Sequence, residues 1–117
     1  MLKTILIILL AIFFILNGIN HFYNDKIIEE YAEKRGLFAP KLSVTAAGIL
    51  LIVGGGLLIW PAARQIAVIM LSIFLVIATF TIHRFWVEKE RQAKMLEAMN
   101  FAKNLAILTE LLYIGFI

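Results

Sequence analysis

Four long apolar runs constrain the fold of this chain more than any other feature of its sequence. They cover residues 2–20, 42–60, 65–83 and 101–117. A helix that crosses about 30 Å of hydrocarbon needs about 20 residues, with a range of about 17–25, and each run falls in that range. The sequence therefore predicts an all-α fold, a four-helix transmembrane bundle of up-down topology. Its helices are expected at about 2–21, 42–60, 65–86 and 100–117.

Composition supports the same conclusion. Of the 117 residues 62% are hydrophobic, and ordinary soluble domains contain only about 45–50% apolar residues. Lipid must then cover much of the surface, and the length indicates a single membrane domain, residues 1–117. Cysteine is absent, which excludes disulfides, thiolate metal sites and iron–sulfur clusters.

The connection between the first two apolar runs is long and polar. Within it Ile27, Ile28 and Tyr31 fall on one face of a helix, with charged residues on the other. Gly36 is a typical helix stop, and Pro40 is well suited to open the next helix. We expect a short amphipathic helix that lies at the membrane interface.

The distribution of basic residues predicts the orientation in the membrane. Only Lys3 and Arg64 of the eleven Lys and Arg residues lie on the face that holds both termini and the second connection. The other nine lie on the opposite face. Because positive residues stay cytoplasmic, both termini are predicted outside and both long connections inside, in an inner (plasma) membrane.

Several polar residues lie where the apolar runs meet these inner connections. Asn17 and His21 are spaced i,i+4 on the first helix, and His83 closes the third. Up-down topology brings these ends to one depth, so we expect His21 and His83 to converge. Interfacial residues beside aromatics would give the same pattern, and that interpretation stays open for each histidine alone.

The fourth helix adds Lys103 and Asn104 at the same level and Glu110 halfway along the span. Polar groups in a membrane are costly and tend to face the protein interior, so we expect Glu110 to face inward and contact a ligand. Snorkelling of Lys103 to the headgroups and helix bridging by Asn104 are the structural alternatives. The predicted ligand-binding set is Asn17, His21, His83, Lys103, Asn104 and Glu110.

The second helix carries a surface of small residues. Gly48 and Gly55 share one face at i,i+7, and Gly54 lies beside them. Small residues allow close helix approach, so helix packing is the predicted role of Gly48, Gly54 and Gly55. A homo-oligomer formed through these glycines is left open.

The motifs INHF at residues 19–22, HRFW at 83–86 and NFAKNL at 100–105, with the glycine-rich second helix, resemble the DoxX family of small four-helix membrane proteins. Such proteins are similar to the membrane subunit of a thiosulfate:quinone oxidoreductase, so the resemblance implies an association with quinone and redox chemistry. Family members often carry a Glu about where Leu51 stands here, and no role for such a Glu can be transferred.

The leading hypothesis is a redox-associated membrane subunit that holds a quinone or lipid-like ligand near the cytoplasmic end of the bundle. Its expected partners are membrane lipid and a membrane-associated oxidoreductase, and no enzymatic activity is assigned. Two alternatives are a non-enzymatic adaptor or assembly protein and a proton-coupled transporter that uses Glu110. A minor alternative is a haem protein with His21 and His83 as axial ligands. No other metal site is predicted, because no third His or carboxylate stands at ligand spacing. No nucleic-acid binding is predicted, because the basic residues are interleaved with glutamates.

Overall fold

The computed structural model describes the whole chain, Met1–Ile117, and it is all-helical, as predicted. Five α-helices follow one another without any strand. Their bounds are α1 Leu2–Tyr23, α2 Asp25–Lys34, α3 Pro40–Ile59, α4 Arg64–Thr81 and α5 Arg91–Phe116.

Three stretches are long and apolar enough to cross a membrane. They are Leu2–Tyr23, Pro40–Ile59 and Pro61–Val87, and they correspond to the first three predicted helices. The last predicted helix is part of α5, which begins at Arg91, about nine residues earlier than expected. Its added turns are charged and continue the helix beyond the apolar run.

One apolar core joins the long helices. Phe14 of α1, Leu58 of α3, Leu71 of α4 and Leu111 of α5 are all buried in it. Large apolar side chains, such as Ile12, also cover the outside of α1, α3 and α4. Soluble proteins rarely expose an apolar surface of this extent. This outer surface is the one that lipid covers.

Close backbone approach between α1 and α3 depends on glycine. A Cβ on Gly48 would lie 2.8 Å from the Phe22 ring, and one on Gly55 would lie 3.1 Å from the backbone oxygen of Ala11. Gly54 instead faces Leu71 of α4. All three glycines are therefore used within the chain, and the surface that they would offer to a second copy is already covered.

The short helix α2 forms in the first connection, as the sequence predicts. It ends at Lys34, and Gly36 follows in the left-handed region at a φ of 79°, where the lack of a Cβ avoids strain. Pro40 is the first residue of α3, where its missing N–H leaves no hydrogen bond unmade.

Helix α4 ends at Thr81, five residues before the predicted end at Trp86. Arg84 turns back and its Nε donates to the carbonyl of Thr81 over 2.8 Å, while Nε of Arg35 donates to the carbonyl of Ile82 over 2.6 Å. These guanidinium groups bind carbonyls that a longer helix would have used, so the helix stops. The prediction for this boundary was wrong because it lacked the contribution of a distant arginine.

The segment after α4 is held against α5 by aromatic rings. Phe85 and Trp86 both pack edge-to-face on Phe101, with ring centroids 5.5 and 5.9 Å away. This packing fixes the position of His83 just before them.

Candidate ligand-binding site

A cavity of about 630 Å³ lies where α1 and α4 end and α3 begins. All five helices contribute to its lining, and most of the lining side chains are apolar. Its polar lining residues come chiefly from the last turns of α1, the segment after α4 and the middle of α5. The cavity thus combines an apolar interior with a polar margin.

Five of the six predicted ligand-binding residues line this cavity. They are Asn17 and His21 of α1, His83 after α4, and Lys103 and Asn104 of α5. They meet because the last turns of α1, the segment after α4 and the middle of α5 all border this one cavity. Asn104 is buried, whereas Lys103 is exposed at the edge of the cavity.

Glu110 does not join them. Its side chain is exposed on the outside of α5, so the expectation that it faces inward is wrong. The buried positions of α5 are Glu97, Asn104, Leu111 and Ile114, and the first three follow one another every seven residues. Glu110 shares a face with Lys103 as expected, but this face lies about 100° away from the buried one.

The buried carboxylate of the site is Glu97, which the sequence interpretation did not single out. Only 4% of its surface is exposed. Its Oε1 accepts hydrogen bonds from His83 Nδ1 over 2.9 Å and from Asn100 Nδ2 over 3.1 Å, and Tyr31 donates to Oε2. Its spacing of seven residues before Asn104 was the signal in the sequence that could have identified it.

These contacts determine the ionisation of Glu97. Burial raises the pKa of its carboxyl group, but the hydrogen bonds from Tyr31, His83 and Asn100 together outweigh burial and leave the pKa below the ordinary value of 4.5. Burial, together with the hydrogen bond to this carboxylate, also raises the pKa of the Tyr31 phenol far above its ordinary value. Glu97 is therefore a carboxylate and Tyr31 a neutral donor at neutral pH.

Arg35 extends this network at the end of α2. It forms an ion pair with Glu88, and its Nε lies 3.7 Å from Oε2 of Glu97. Its side chain is only 9% exposed. Because Tyr31 and Ala32 of α2 line the cavity, these bonds hold α2 in place as one of its walls.

Both histidines have their Nδ1 atoms engaged within the protein. Nδ1 of His21 lies 2.7 Å from the backbone carbonyl of Asn17, and Nδ1 of His83 bonds Glu97. Carbonyl and carboxylate oxygens only accept, so Nδ1 carries the proton in each ring. Nε2 makes no hydrogen bond within the chain in either ring and is the atom that a ligand can meet.

No group of three or more His, Cys, Asp or Glu side chains is arranged to hold a metal ion. His83 has Glu97 as an acidic neighbour, and Oε1 of this carboxylate already accepts hydrogen bonds from His83 and Asn100.

Comparison with known families adds to this geometry. The DoxX family model matches residues 2–84, which is most of the chain. The chain belongs to the DoxX family. No curated protein and no solved structure matches it.

The matched segment of this DoxX protein contains α1 to α4 and ends just after His83. Glu97, Lys103 and Asn104 lie outside it, in α5, yet α5 completes the site. Leu51 of α3 is buried and lines the cavity, and the buried carboxylate beside the cavity is Glu97 of α5.

Proposed function

We propose that this DoxX protein is a multi-pass membrane protein that binds an amphipathic ligand of the quinone or lipid-like class in the cavity of about 630 Å³. The carrying observation is the cavity itself, an apolar space with polar groups gathered at one margin. Sites for small organic ligands are typically about 300–1,000 Å³, mostly apolar, with a few polar groups that orient the ligand.

The polar margin suits the oxygens of a ring-shaped head group. Lys103 and Asn104 of α5 and Asn20 of α1 carry N–H groups that can donate to a ligand oxygen. The apolar lining, including Phe13 and Leu50, would hold a hydrocarbon ring or tail.

The proposal places the cavity at the cytoplasmic side of the membrane. We also propose that the apolar part of α5 crosses the bilayer beside α4, so that the chain crosses the membrane four times in up-down order. Two observations support this arrangement: α5 buries Leu111 and Ile114 in the same core as the other helices, and nine of the eleven Lys and Arg residues lie at the cavity end. Both termini then lie outside.

A redox role needs electrons from elsewhere, because the chain has no cysteine. We therefore propose that the protein works beside a membrane-associated oxidoreductase, with the ligand exchanged between the two. The exposed charged turns at the start of α5, with Arg91 and Lys94, are available to such a partner.

A haem held by His21 and His83 is a second candidate, and one observation favours it. Axial histidines bind iron through one nitrogen while the other donates to a carbonyl or carboxylate, and both rings have this arrangement at Nδ1. Purified protein without a Soret band would exclude it. Proton-coupled transport through Glu110 has less support, since that carboxylate lies outside the cavity.

The main test is purification in native lipid, extraction of bound lipid and titration with decylubiquinone. We expect quinone in the extract and saturable binding that Ala47→Phe abolishes, because Ala47 lines the cavity. Val53→Phe is the matched control, since Val53 is on the exposed face of the same helix. Equal binding by both variants, or none by the native protein, contradicts the proposal.

A further inference from the structure

Most of the polar side chains that line the cavity donate a hydrogen bond to another group of the protein. Six of these side chains do so. Three of these bonds come from Asn17, whose Nδ2 donates to Phe13 O over 2.8 Å, Ser43, whose Oγ donates to Phe38 O over 2.8 Å, and Thr81, whose Oγ1 donates to Ile77 O over 2.6 Å.

The other three are the aromatic and imidazole groups. Tyr31 donates to Glu97, His83 donates from Nδ1 to the same carboxylate, and His21 donates from Nδ1 to the carbonyl of Asn17. Each of the six retains an acceptor, which is an amide oxygen, a hydroxyl oxygen or, in a neutral imidazole, the lone pair of Nε2; Asn17 also keeps its second amide N–H.

We propose that the cavity selects a ligand that donates hydrogen bonds, a hydroxylated aromatic amphiphile of the phenol or quinol class, over one that only accepts them, such as a quinone or an ether. This inference rests on the proposed function, because it specifies the ligand that the same cavity binds. His83 and His21 are the residues that accept hydrogen bonds from the ligand hydroxyl groups, each at Nε2.

The reason is the cost of unmatched polar atoms. A buried acceptor that loses water without gaining a donor costs about 1–3 kcal/mol in stability or binding. A quinone has no donor, so it would leave Nε2 of both histidines unpaired. A quinol hydroxyl pairs with Nε2 and can still accept from a free N–H group of the lining, such as those of Lys103, Asn104 or Asn20.

Glu97 is the positioning residue in this arrangement. It does not line the cavity, but it fixes the proton of His83 on Nδ1 and thereby makes Nε2 an acceptor. A glutamine at this position can donate from its amide to Nδ1, which moves the ring proton to Nε2 and turns the acceptor into a donor. Glu97→Gln should therefore change the ligand preference of His83.

The experiment compares 4-decylphenol with its methyl ether, 4-decylanisole, which differ by one hydroxyl proton and need no redox chemistry. Binding to the full chain in nanodiscs is measured by quenching of tryptophan fluorescence and by calorimetry. We expect the phenol to bind about tenfold more tightly, which corresponds to one well-formed hydrogen bond. The double variant His21→Phe/His83→Phe keeps both rings but removes both Nε2 atoms, and the preference should fall to about twofold or less.

Glu97→Gln should also reduce the preference or reverse it, whereas the same change at Glu110, outside the cavity, should leave it unaltered. If the ether binds the native protein as tightly as the phenol, the inference is overturned while the proposed function stands. If neither compound binds, the inference is overturned as well, and the decylubiquinone titration decides the proposed function by itself. The two failures are thus distinguishable.

Discussion

Arg35 and Arg84 each donate a hydrogen bond to the backbone carbonyl of the other. Nη2 of Arg84 lies 2.8 Å from the oxygen of Arg35, and Nη2 of Arg35 lies 3.3 Å from the oxygen of Arg84. The pair ties the end of α2 to the segment that follows α4. Since both elements line the cavity, the arginine pair holds two parts of its wall together.

Replacing Arg35 by lysine should destabilise the protein. Lysine carries a single ammonium group and cannot reproduce the fork that binds Glu88 and two carbonyls at once. We expect a loss on the order of 2 kcal/mol, typical of losing two hydrogen bonds, seen as a lower Tm by tryptophan fluorescence in detergent. Arg91→Lys, at an exposed position, is the control. Equal Tm values for the two variants would show that the arginine pair contributes no stability.

The network around Glu97 predicts a specific dependence of stability on pH. Its pKa is lowered in the folded protein, so its contribution is present above the ordinary value of 4.5 and is lost as pH falls through the folded-state value. The native protein should have a higher Tm than Glu97→Gln at pH 7, and the difference should shrink below about pH 4.5. Glu33→Gln, on the exposed face of α2, should show no such convergence. A difference in Tm that is constant with pH would count against an ionised Glu97.

The helices and the convergence of the cavity residues follow from the sequence because they depend on local patterns. The lengths of the apolar runs predicted the helices α1, α3 and α4, and Pro40 predicted the start of α3. His21 and His83 could be brought together by topology alone, without knowledge of any contact. The end of α4 could not be predicted in this way, because Arg35 lies 47 residues before the carbonyl of Ile82 that it binds.

Glycine substitutions should separate packing from helix propensity. A Cβ on Gly18 would lie 2.8 Å from the backbone oxygen of Gly48, which cannot move without shifting α3, whereas a Cβ on Gly56 meets nothing within 4 Å. Gly18→Ala should therefore lower the Tm markedly. Gly56→Ala should leave it unchanged or raise it, because alanine is favoured in a helix by about 1 kcal/mol. An equal effect of the two variants would indicate that α1 and α3 are further apart than described.

The two glutamates of α5 show why the site was only partly predictable. Glu97 precedes the last apolar run and lies in a polar connection with many other charged residues. Glu110 lies within that run and has only apolar or uncharged neighbours. Isolation in the sequence indicated Glu110, but the helix phase decides which residue faces inward. That phase depends on how α5 packs on α4, which the apolar residues on several faces of α5 do not determine.

An apolar replacement at Glu110 should be tolerated. If α5 crosses the membrane as we propose, this exposed side chain faces lipid, where a charge at mid-depth costs about 2.5–3.5 kcal/mol. Glu110→Leu should then raise the Tm in nanodiscs and leave decylubiquinone binding unchanged. Asn104→Leu, which removes a buried amide at the cavity, is the contrasting variant and should weaken binding. Loss of binding in Glu110→Leu would show that this carboxylate reaches the ligand.

The proposed topology predicts where a C-terminal reporter resides. With four crossings and the basic connections inside, alkaline phosphatase fused after Ile117 should be active and green fluorescent protein at the same site should not fluoresce. With only three crossings α5 would stay in the cytoplasm, and the two signals would be exchanged. Fusion of the same reporters after Lys89, where the chain has passed α4, is the internal control and should give the cytoplasmic pattern. A cytoplasmic pattern at both sites would place α5 on the membrane surface and open the cavity toward it.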